Sequence, residues 1–275
     1  MNMLTILYHD DELAVVLKPV GLDAESALPA AIVSELGGEC HTVHRLDLNV
    51  GGVMVYARTK DAAAALSRLI QAGDMVKEYV ALVHGVPEES GDWTDLLLKD
   101  ARQNKVFVVR RERKGVKRAR LTFTRLTQDD PALVRIRLFT GRSHQIRVQF
   151  ASRKHPLVGD HKYGARDEAS APMLHSCCIT FPWKGQRLRF SHLPDWAMLP
   201  EKELRRIGEM EEAFDRARLH ADPADLQCLS DYLNSGDWQR DYEADEAGRI
   251  PRGMKRGVLG QDALYELLTN HAELL

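Results

Sequence analysis

The alternation of apolar and polar residues predicts a first domain made mostly of short strands. The apolar runs LTILY (4 to 8) and LAVVLKP (13 to 19) flank the turn-forming HDDE, which predicts a hairpin that ends at Pro19-Val20-Gly21. GGVMVYAR (51 to 58) has the continuous apolar character of a buried strand. Further strands are predicted at residues 77 to 85, 104 to 110, 118 to 126, 132 to 139, 174 to 181 and 187 to 192.

Two helices are predicted between these strands. Thr59 is a suitable N-cap for TKDAAAALSRLIQAG, whose alanine-rich run has high helix propensity and stops at Gly73. Ser143 is predicted to cap a short helix over HQIRVQFAS. Single helices between many strands indicate an α+β domain built on a mixed, largely antiparallel sheet.

The character of the chain changes after LPDWAMLP (193 to 200). EKELRRIGEMEEAFDRARLHA has helical spacing and heavy charge, ADLQCLSDYLNSG predicts a second helix that ends at Gly236, and QDALYELLTNHAELL a third. The sequence therefore predicts a sheet domain over residues 1–198 and a small all-α C-terminal unit over 199–275.

Composition limits the class of protein. The 275 residues are 44% hydrophobic, which supports a packed core and argues against a disordered or fibrous chain. No run approaches eighteen apolar residues, and charge interrupts the N-terminal MNMLTILYHDDEL, so we expect a soluble cytoplasmic protein without membrane contact. No CxxC spacing is present, so the cysteines are expected to be reduced and structural; they are Cys40, Cys177, Cys178 and Cys228.

Charge is divided unevenly although the net value is −2. Residues 1–200 hold 28 basic against 23 acidic residues, or +5, whereas residues 201–275 hold 10 against 17, or −7. Residues 99–120 alone carry ten basic and two acidic residues, and such a field attracts phosphate backbones. A solvated hairpin with outward-facing cations is the alternative explanation.

The stretch HTVHRLDLNVGG (41 to 52) contains the strongest candidate for chemistry. Asp47 precedes Gly51-Gly52, where the missing Cβ atoms allow a ligand or another chain to approach the backbone. An exposed carboxylate there is suited to be a nucleophile or base, although an Asp before glycines is also a common turn-former. Arg45 is either a surface cation or a planar group that stacks on bases.

A second stretch, TGRSHQIRVQF (140 to 150), offers a partner for that carboxylate. Arg142 and Arg147 frame a polar turn and a helix start, with Ile146, Val148 and Phe150 as apolar anchors. A guanidinium held by such packing can orient a buried carboxylate by a bidentate pair. A purely structural salt bridge would have the same sequence pattern.

Taken in order, these motifs resemble one known family. HRLD with its glycine turn and buried strand, then KEYVALVHG, TGRSHQIRVQFA and HPLVGDHKYG, are similar to the RluA-type pseudouridine synthases. DDELAVVLKPVGL is similar to the first strand pair of that family, with its Lys-Pro-x-Gly signature. The resemblance extends from about residue 5 to about residue 195 and implies the fold of that catalytic domain.

The resemblance implies an isomerase that converts uridine within ribosomal or transfer RNA to pseudouridine. It makes Asp47 the catalytic carboxylate, which attacks the ribose or assists formation of a glycal. It makes Tyr79 the residue that packs on the base and removes the final proton, and Arg147 the partner of the carboxylate. The base must be flipped out of its helix, and neither metal nor cofactor is required. The residues expected to bind RNA are Lys18, Arg45, Arg110, Arg111, Lys117, Arg142, His144 and Gln145.

The chain departs from the family pattern in one motif. Asp47 is followed by Leu48-Asn49-Val50-Gly51, whereas many members have a basic residue after the Asp and a hydroxyl residue before the glycine. We expect activity to survive and nearby RNA contacts to differ. The N-terminal S4-type RNA-binding module frequent in the family is expected to be absent, because the first strand begins close to Met1.

The acidic tail is similar to a small helical bacterial domain of unknown function, carried by residues 230–268. Its net charge of −7 makes it a poor phosphate binder. The expected alternatives are a contact with a protein partner, packing on the basic face, or a stabilising appendage.

Two other functions compete with RNA isomerisation. The first is a non-catalytic RNA-binding or RNA-chaperone module on the same fold, which would have no need of Asp47, Tyr79 and Arg147 together. The second is a metal-dependent hydrolase, for which the chain lacks HExxH and cysteine-rich spacing. Its candidate ligands would be His41, His44, His144, His155 and His161.

Overall fold

The chain forms two compact units in a computed structural model that describes residues 4–274. The division falls after Pro194, a little before the predicted boundary after residue 198. The turn Asp195–Ala197 belongs with the helices because Arg249 Nε donates a hydrogen bond of 3.1 Å to the Ala197 carbonyl. The predicted first domain begins at residue 1, and residues 1–3 lie outside the described part of the chain.

The first unit is built on one sheet. Within the described residues the strand order is β1-β2-β4-β10-β5-β9-β8-β6-β7, with β3 on β4 and β11 on β10. The pair of β4 and β10 is parallel and the other pairs are antiparallel, so the predicted mixed, largely antiparallel sheet is confirmed. The strands are β1 (Thr5–His9), β2 (Leu13–Lys18), β3 (His41–Thr42), β4 (Gly51–Ala57), β5 (Val76–Val83), β6 (Ser90–Asp100), β7 (Lys105–Val109), β8 (Val116–Arg125), β9 (Ala132–Leu138), β10 (Leu174–Trp183) and β11 (Gln186–Ser191).

Three helices accompany the sheet: α1 (Ala27–Leu36), α2 (Lys60–Ala72) and α3 (Gln145–Ser152). The predicted cap of α2 is confirmed, because Thr59 Oγ1 accepts a 3.1 Å bond from the Ala62 amide and Gly73 ends the helix in the left-handed region. The predicted cap of α3 is wrong. His144, at φ 51°, precedes that helix and gives no side-chain cap.

Both faces of the sheet carry apolar cores. On one face, Leu28 of α1 and Phe150 of α3 pack with Tyr56 and Tyr79. On the other face, Leu66 of α2 packs against Val53, Val55 and Phe181. The double covering buries every residue of β4, which explains its continuous apolar sequence.

The second unit is helical, as the sequence predicts. Its helices are α4 (Glu201–His220), α5 (Pro223–Asn234), α6 (Asp237–Glu246) and α7 (Gln261–Asn270). The predicted third helix extends to Leu275, which lies outside the described residues. The unit has its own core, centred on Ile207, Phe214, Leu229, Trp238 and Leu264.

Two further expectations concern membrane contact and the state of the cysteines. In residues 4–274, no helix combines the length and the apolar character that crossing a membrane requires. The four cysteines all lie in this range and are free; Cys177 and Cys178 are buried on β10 and Cys228 is exposed.

Candidate active site

Asp47 lies on the turn between β3 and β4, with its side chain 24% exposed. Lys18, at the end of β2, holds this turn by hydrogen bonds. Its Nζ atom donates to the carbonyls of Pro19, Leu48 and Val50 at 3.0, 3.0 and 2.8 Å. Burial lowers the pKa of Lys18 to about 8, and the carboxylates of Asp23 and Asp47 limit the fall. The ammonium is therefore charged at neutral pH and has three protons for three carbonyls.

The double glycine after Asp47 allows β4 to approach β10 closely. Gly52 adopts φ +128°, and a Cβ atom there would lie 2.4 Å from the Ser176 carbonyl oxygen. Any side chain at this position would collide with backbone rather than with a flexible group. The predicted close approach therefore involves another strand of the same sheet.

Arg147 joins Asp47 to a second carboxylate. Its Nη1 atom donates to Asp47 Oδ2 at 2.9 Å, while Nε and Nη2 donate to the two oxygens of Asp160 at 2.7 and 2.8 Å. Burial lowers the pKa of Arg147, but the hydrogen bonds and charges of Asp160 and Asp47 raise it more. The guanidinium is thus a fixed cation that orients one oxygen of Asp47.

His144 and Tyr163 form the adjacent wall. The Tyr163 hydroxyl accepts a 2.8 Å bond from the Val106 amide and lies 2.9 Å from His144 Nδ1. If the hydroxyl donates to Nδ1, the neutral imidazole carries its proton on Nε2, 3.8 Å from Asp47 Oδ2. Burial lowers the pKa of His144, Asp47 opposes this and Arg147 adds to it, so the ring is neutral at pH 7.

A cavity of about 620 Å³ opens over these groups. Asp47, Tyr79, His144 and Arg147 all line it, which brings three separated motifs to one place. Tyr79 is only 6% exposed, and burial together with the nearby Asp47 carboxylate raises its pKa. Size and lining suit a single polar ligand held between apolar walls.

Two residues predicted to bind RNA are buried and hydrogen-bonded to neighbouring loops, which argues against that role. Lys18 is 1% exposed and its three protons are used by carbonyl oxygens. Gln145 is 3% exposed; its Oε1 accepts from Thr140 Oγ1 and the Arg142 amide, and its Nε2 donates to the Arg120 carbonyl. Both side chains support loops next to the pocket; Lys18 uses all three of its protons there, whereas Gln145 also lines the pocket.

The other predicted RNA-binding cations are exposed. Arg45 and Arg142 line the pocket; Arg45 is 63% exposed and pairs with Glu25, and Arg142 Nε donates to the Arg118 carbonyl at 3.1 Å. Arg110, Arg111 and Lys117 lie away from the pocket, on the connection from β7 to β8 and at the start of β8. The predicted set therefore divides into rim residues and three distant ones, Arg110, Arg111 and Lys117, which we name the β7–β8 cations.

The five histidines considered as metal ligands have separate partners. His44 Nε2 accepts from the Val55 amide, His155 Nδ1 lies 3.0 Å from the His84 carbonyl, and His161 contacts the carbonyls of Ala165 and Ala169. His41 pairs with Glu39, and His144 with Tyr163. Across residues 4–274, no group of three or more His, Cys, Asp or Glu side chains is arranged to hold a metal ion.

Asp160 and Tyr163 are site residues that the sequence reasoning did not single out. Both belong to HPLVGDHKYG, a stretch that contributes to the family resemblance. The available signal for these site residues in the sequence was a carboxylate and an aromatic hydroxyl three residues apart, directly after a glycine. The turn from Asp160 through the short 3-10 segment His161–Tyr163 directs both toward Arg147: Asp160 by hydrogen bonds, and the Tyr163 ring at 5.2 Å from the guanidinium carbon.

Comparison with known proteins identifies the family and the fold. Residues 13–152, slightly more than half of the chain, match the RNA pseudouridylate synthase family. The chain belongs to this family. Residues 201–275 match a domain of unknown function, DUF4298, in agreement with the resemblance seen in the tail.

Individual members of the synthase family are similar to the chain at moderate identity. The dual-specificity RNA pseudouridine synthase RluA of Escherichia coli K12 is 32% identical over 207 residues, which cover 70% of this chain and 94% of the relative. An uncharacterized RNA pseudouridine synthase, the MG209 homolog of Mycoplasma pneumoniae, is 34% identical over 191 residues. That alignment covers 65% of this chain and 62% of the relative, so less than two thirds of the relative is matched.

The solved structure of human RNA pseudouridylate synthase domain containing 4 has the same fold. Its TM-score is 0.59 at 26% identity, over 72% of this chain and 89% of the human chain. The family fold inferred from the sequence motifs is therefore confirmed.

Proposed function

We propose that the protein isomerises specific uridines in structured ribosomal or transfer RNA to pseudouridine, with Asp47 as the catalytic carboxylate. The observation that carries the proposal is the contact of Asp47 with Arg147, one hundred positions apart, in a pocket that also contains Tyr79. Such a constellation serves a reaction and is not needed for RNA binding alone.

The chemistry requires one bond to be exchanged for another. The N1–C1′ bond of uridine breaks, the uracil turns within the pocket, and a C5–C1′ bond forms. The C5 proton leaves and N1 gains a proton, so the reaction is an isomerisation without net redox change or hydrolysis. Asp47, oriented by Arg147, assists the first step, either as a nucleophile at the ribose or by promoting a glycal.

Tyr79 is suited to the last step. Its ring forms one wall of the pocket, where a flipped base would pack. Because its pKa is raised, the phenol is protonated at rest, so its oxygen takes the C5 proton only while its own proton passes on, in balance with the proton that N1 gains. Packing and proton transfer are separate contributions of the same side chain.

The exposed cations supply the contact with RNA. Arg45 at the rim is the residue proposed to enter the helix where the uridine has left it, since a planar guanidinium stacks on bases. Arg142 and the β7–β8 cations Arg110, Arg111 and Lys117 would neutralise phosphates. Lys18 and Gln145 would support the loops beside the pocket, and direct contact of either with RNA stays a prediction. A protein partner for the acidic helical unit and a cytoplasmic location stay predictions.

Tritium release tests the proposal. Transcripts of ribosomal and transfer RNA labelled at uridine C5 with tritium should lose label to water in the presence of the protein. Asp47→Asn should release none, while the matched control Asp129→Asn, which changes an exposed loop carboxylate, should act like the wild type. Absence of release from every transcript, under conditions where the protein is folded, would overturn the proposal.

A further inference from the structure

An exposed aromatic ring lies directly before the loop that leads to α3. Phe139 follows the last residue of β9, is 43% exposed and lines the candidate pocket. Its backbone is fixed, because the Phe139 amide donates to the Arg120 carbonyl at 3.1 Å. A large apolar side chain is thus presented to solvent from a rigid position beside the proposed catalytic groups.

Two guanidinium groups lie against this ring. The guanidinium carbon of Arg120 is 4.4 Å from the ring centroid, and that of Arg137 is 5.1 Å away. Arg120 is held in place by Asp92, whose two oxygens accept from Nε and Nη2 at 3.0 and 2.7 Å. The three side chains form a positively charged and partly apolar surface, which we name the Phe139 platform.

Shielding of the ring is a simpler explanation for the two arginines. A cation over an exposed aromatic ring makes only a modest contribution to stability. That explanation does not account for the position of the ring at the pocket, where β9 continues into the loop of Arg142. The location favours a ligand that passes from the pocket across the platform.

The proposed reaction creates such a ligand. When a uridine is turned out of its stack, an unpaired neighbour that leaves the stack with it also loses its stacking partners, and Arg45 in the vacated gap does not replace them for that nucleotide. An aromatic ring offers a stacking surface to any base, independent of base identity, and guanidinium planes stack on bases in the same way. Their positive charge also attracts the phosphates that flank the base.

We propose that the Phe139 platform stacks an unpaired base adjacent to the target uridine in the RNA strand. This inference rests on the proposed function, since it assigns a contact within the same enzyme–RNA complex. The platform is a substrate-positioning surface, and Phe139 takes no part in bond making or breaking.

Steady-state kinetics tests the inference, with a synthetic RNA stem-loop that contains the uridine to be converted to pseudouridine. Phe139→Ala should raise KM about tenfold, as expected for one lost base stack, and change kcat less than twofold. Phe139→Tyr keeps the ring and should behave like the wild type. The matched control is Tyr265→Ala, which removes a ring of comparable exposure, 49%, from the helical unit and should leave KM unchanged.

An abasic ribose in the stem-loop separates stacking from a general loss of structure. For the wild type, the abasic ribose on one side of the uridine should lower kcat/KM about tenfold. For Phe139→Ala, the abasic ribose should not lower kcat/KM any further, because the stack is already absent. Equal sensitivity of the wild type and Phe139→Ala to the abasic ribose on both sides would overturn the inference.

A binding measurement distinguishes failure of the platform from failure of the proposed function. The same stem-loop, with 2-aminopurine next to the uridine, should lose fluorescence on binding the wild type and Phe139→Tyr, and keep it with Phe139→Ala. Tritium release without this quenching would disprove the platform alone. Quenching without tritium release would disprove the isomerase and retain the platform, and absence of RNA binding would disprove both.

Discussion

Asp160 and Asp47 share the guanidinium of Arg147 between them. Asp160 takes the Nε and Nη2 donors at 2.7 and 2.8 Å, which leaves Nη1 for Asp47 at 2.9 Å. Asp160 is 1% exposed, and its carboxylate contacts the proposed catalytic group only through Arg147. The orientation of Asp47 therefore depends on a buried carboxylate that acts as a positioning residue.

Replacement of Asp160 tests this dependence. Asp160→Asn keeps the shape but removes the charge that balances buried Arg147, so the free energy of unfolding should fall by roughly 3 kcal/mol. Since Arg147 would lose its fixed orientation, kcat should fall at least about tenfold, a loss equivalent to about 1.4 kcal/mol, while KM changes little. Urea denaturation and steady-state kinetics measure the two effects. A normal kcat in the folded variant would show that Arg147 needs no second carboxylate.

Tyr79→Phe separates the two proposed contributions of Tyr79. The ring remains to pack on the uracil, so KM should stay within twofold of the wild type. Loss of the hydroxyl should lower kcat by about 100-fold or more, the usual contribution of a general acid or base. Single-turnover kinetics on the stem-loop measures the chemical step directly. If Tyr79→Phe retains full kcat, the residue only packs against the base.

Lys18→Met tests the structural role assigned to Lys18. Three carbonyl groups would lose their donor, and since one unmet buried hydrogen bond costs about 1–3 kcal/mol, the free energy of unfolding should fall by roughly 3 kcal/mol. The Asp47 turn would loosen and kcat would fall. The salt dependence of RNA binding should stay unchanged, because no phosphate contact is lost. A shallower salt dependence in filter-binding titrations would restore the RNA-binding prediction for Lys18.

The β7–β8 cations should contribute to RNA affinity mainly through charge. Replacing Arg110, Arg111 and Lys117 by Gln should reduce the slope of log K against log salt by about 2, since each cation on single-stranded RNA accounts for about 0.7. Their removal should weaken all RNA sequences similarly. The matched control changes three exposed cations of α4 to Gln, namely Lys202, Arg205 and Arg218. This control should leave the slope of log K against log salt unchanged. Equal slopes in both triple variants would show that the β7–β8 cations face solvent and do not contact RNA.

The strands of the first unit were predictable because apolar periodicity is strong in them. The predicted strand at 132 to 139 and the observed β9, Ala132–Leu138, differ by one residue. β6 (Ser90–Asp100) was missed: Gly and Asp, which are rare in strands, are the second and third residues of SGDWTDLLLKD, and only Leu97 of the eleven is buried. α6 was missed because three buried residues in ten give a narrow stripe; they are Trp238, Asp241 and Ala244.

The site was less accessible to sequence reasoning than the fold. Spacing along the chain does not show that Asp47 and Arg147 meet across one hundred positions, and the family resemblance supplied that pairing. Lys18 and Gln145 are among the residues that the resemblance leads us to expect at the RNA. Their burial depends on how β2 and the loop before α3 fold back, which local pattern does not report.

The central claim is that the protein makes pseudouridine at a defined position by means of Asp47. We would map pseudouridine across total RNA from cells with and without this gene, and from deleted cells that express the wild type or Asp47→Asn. The account predicts at least one position that loses pseudouridine on deletion and regains it with the wild type only. Identical maps in all four strains, or restoration by Asp47→Asn, would contradict it and favour an RNA-binding module on the same fold.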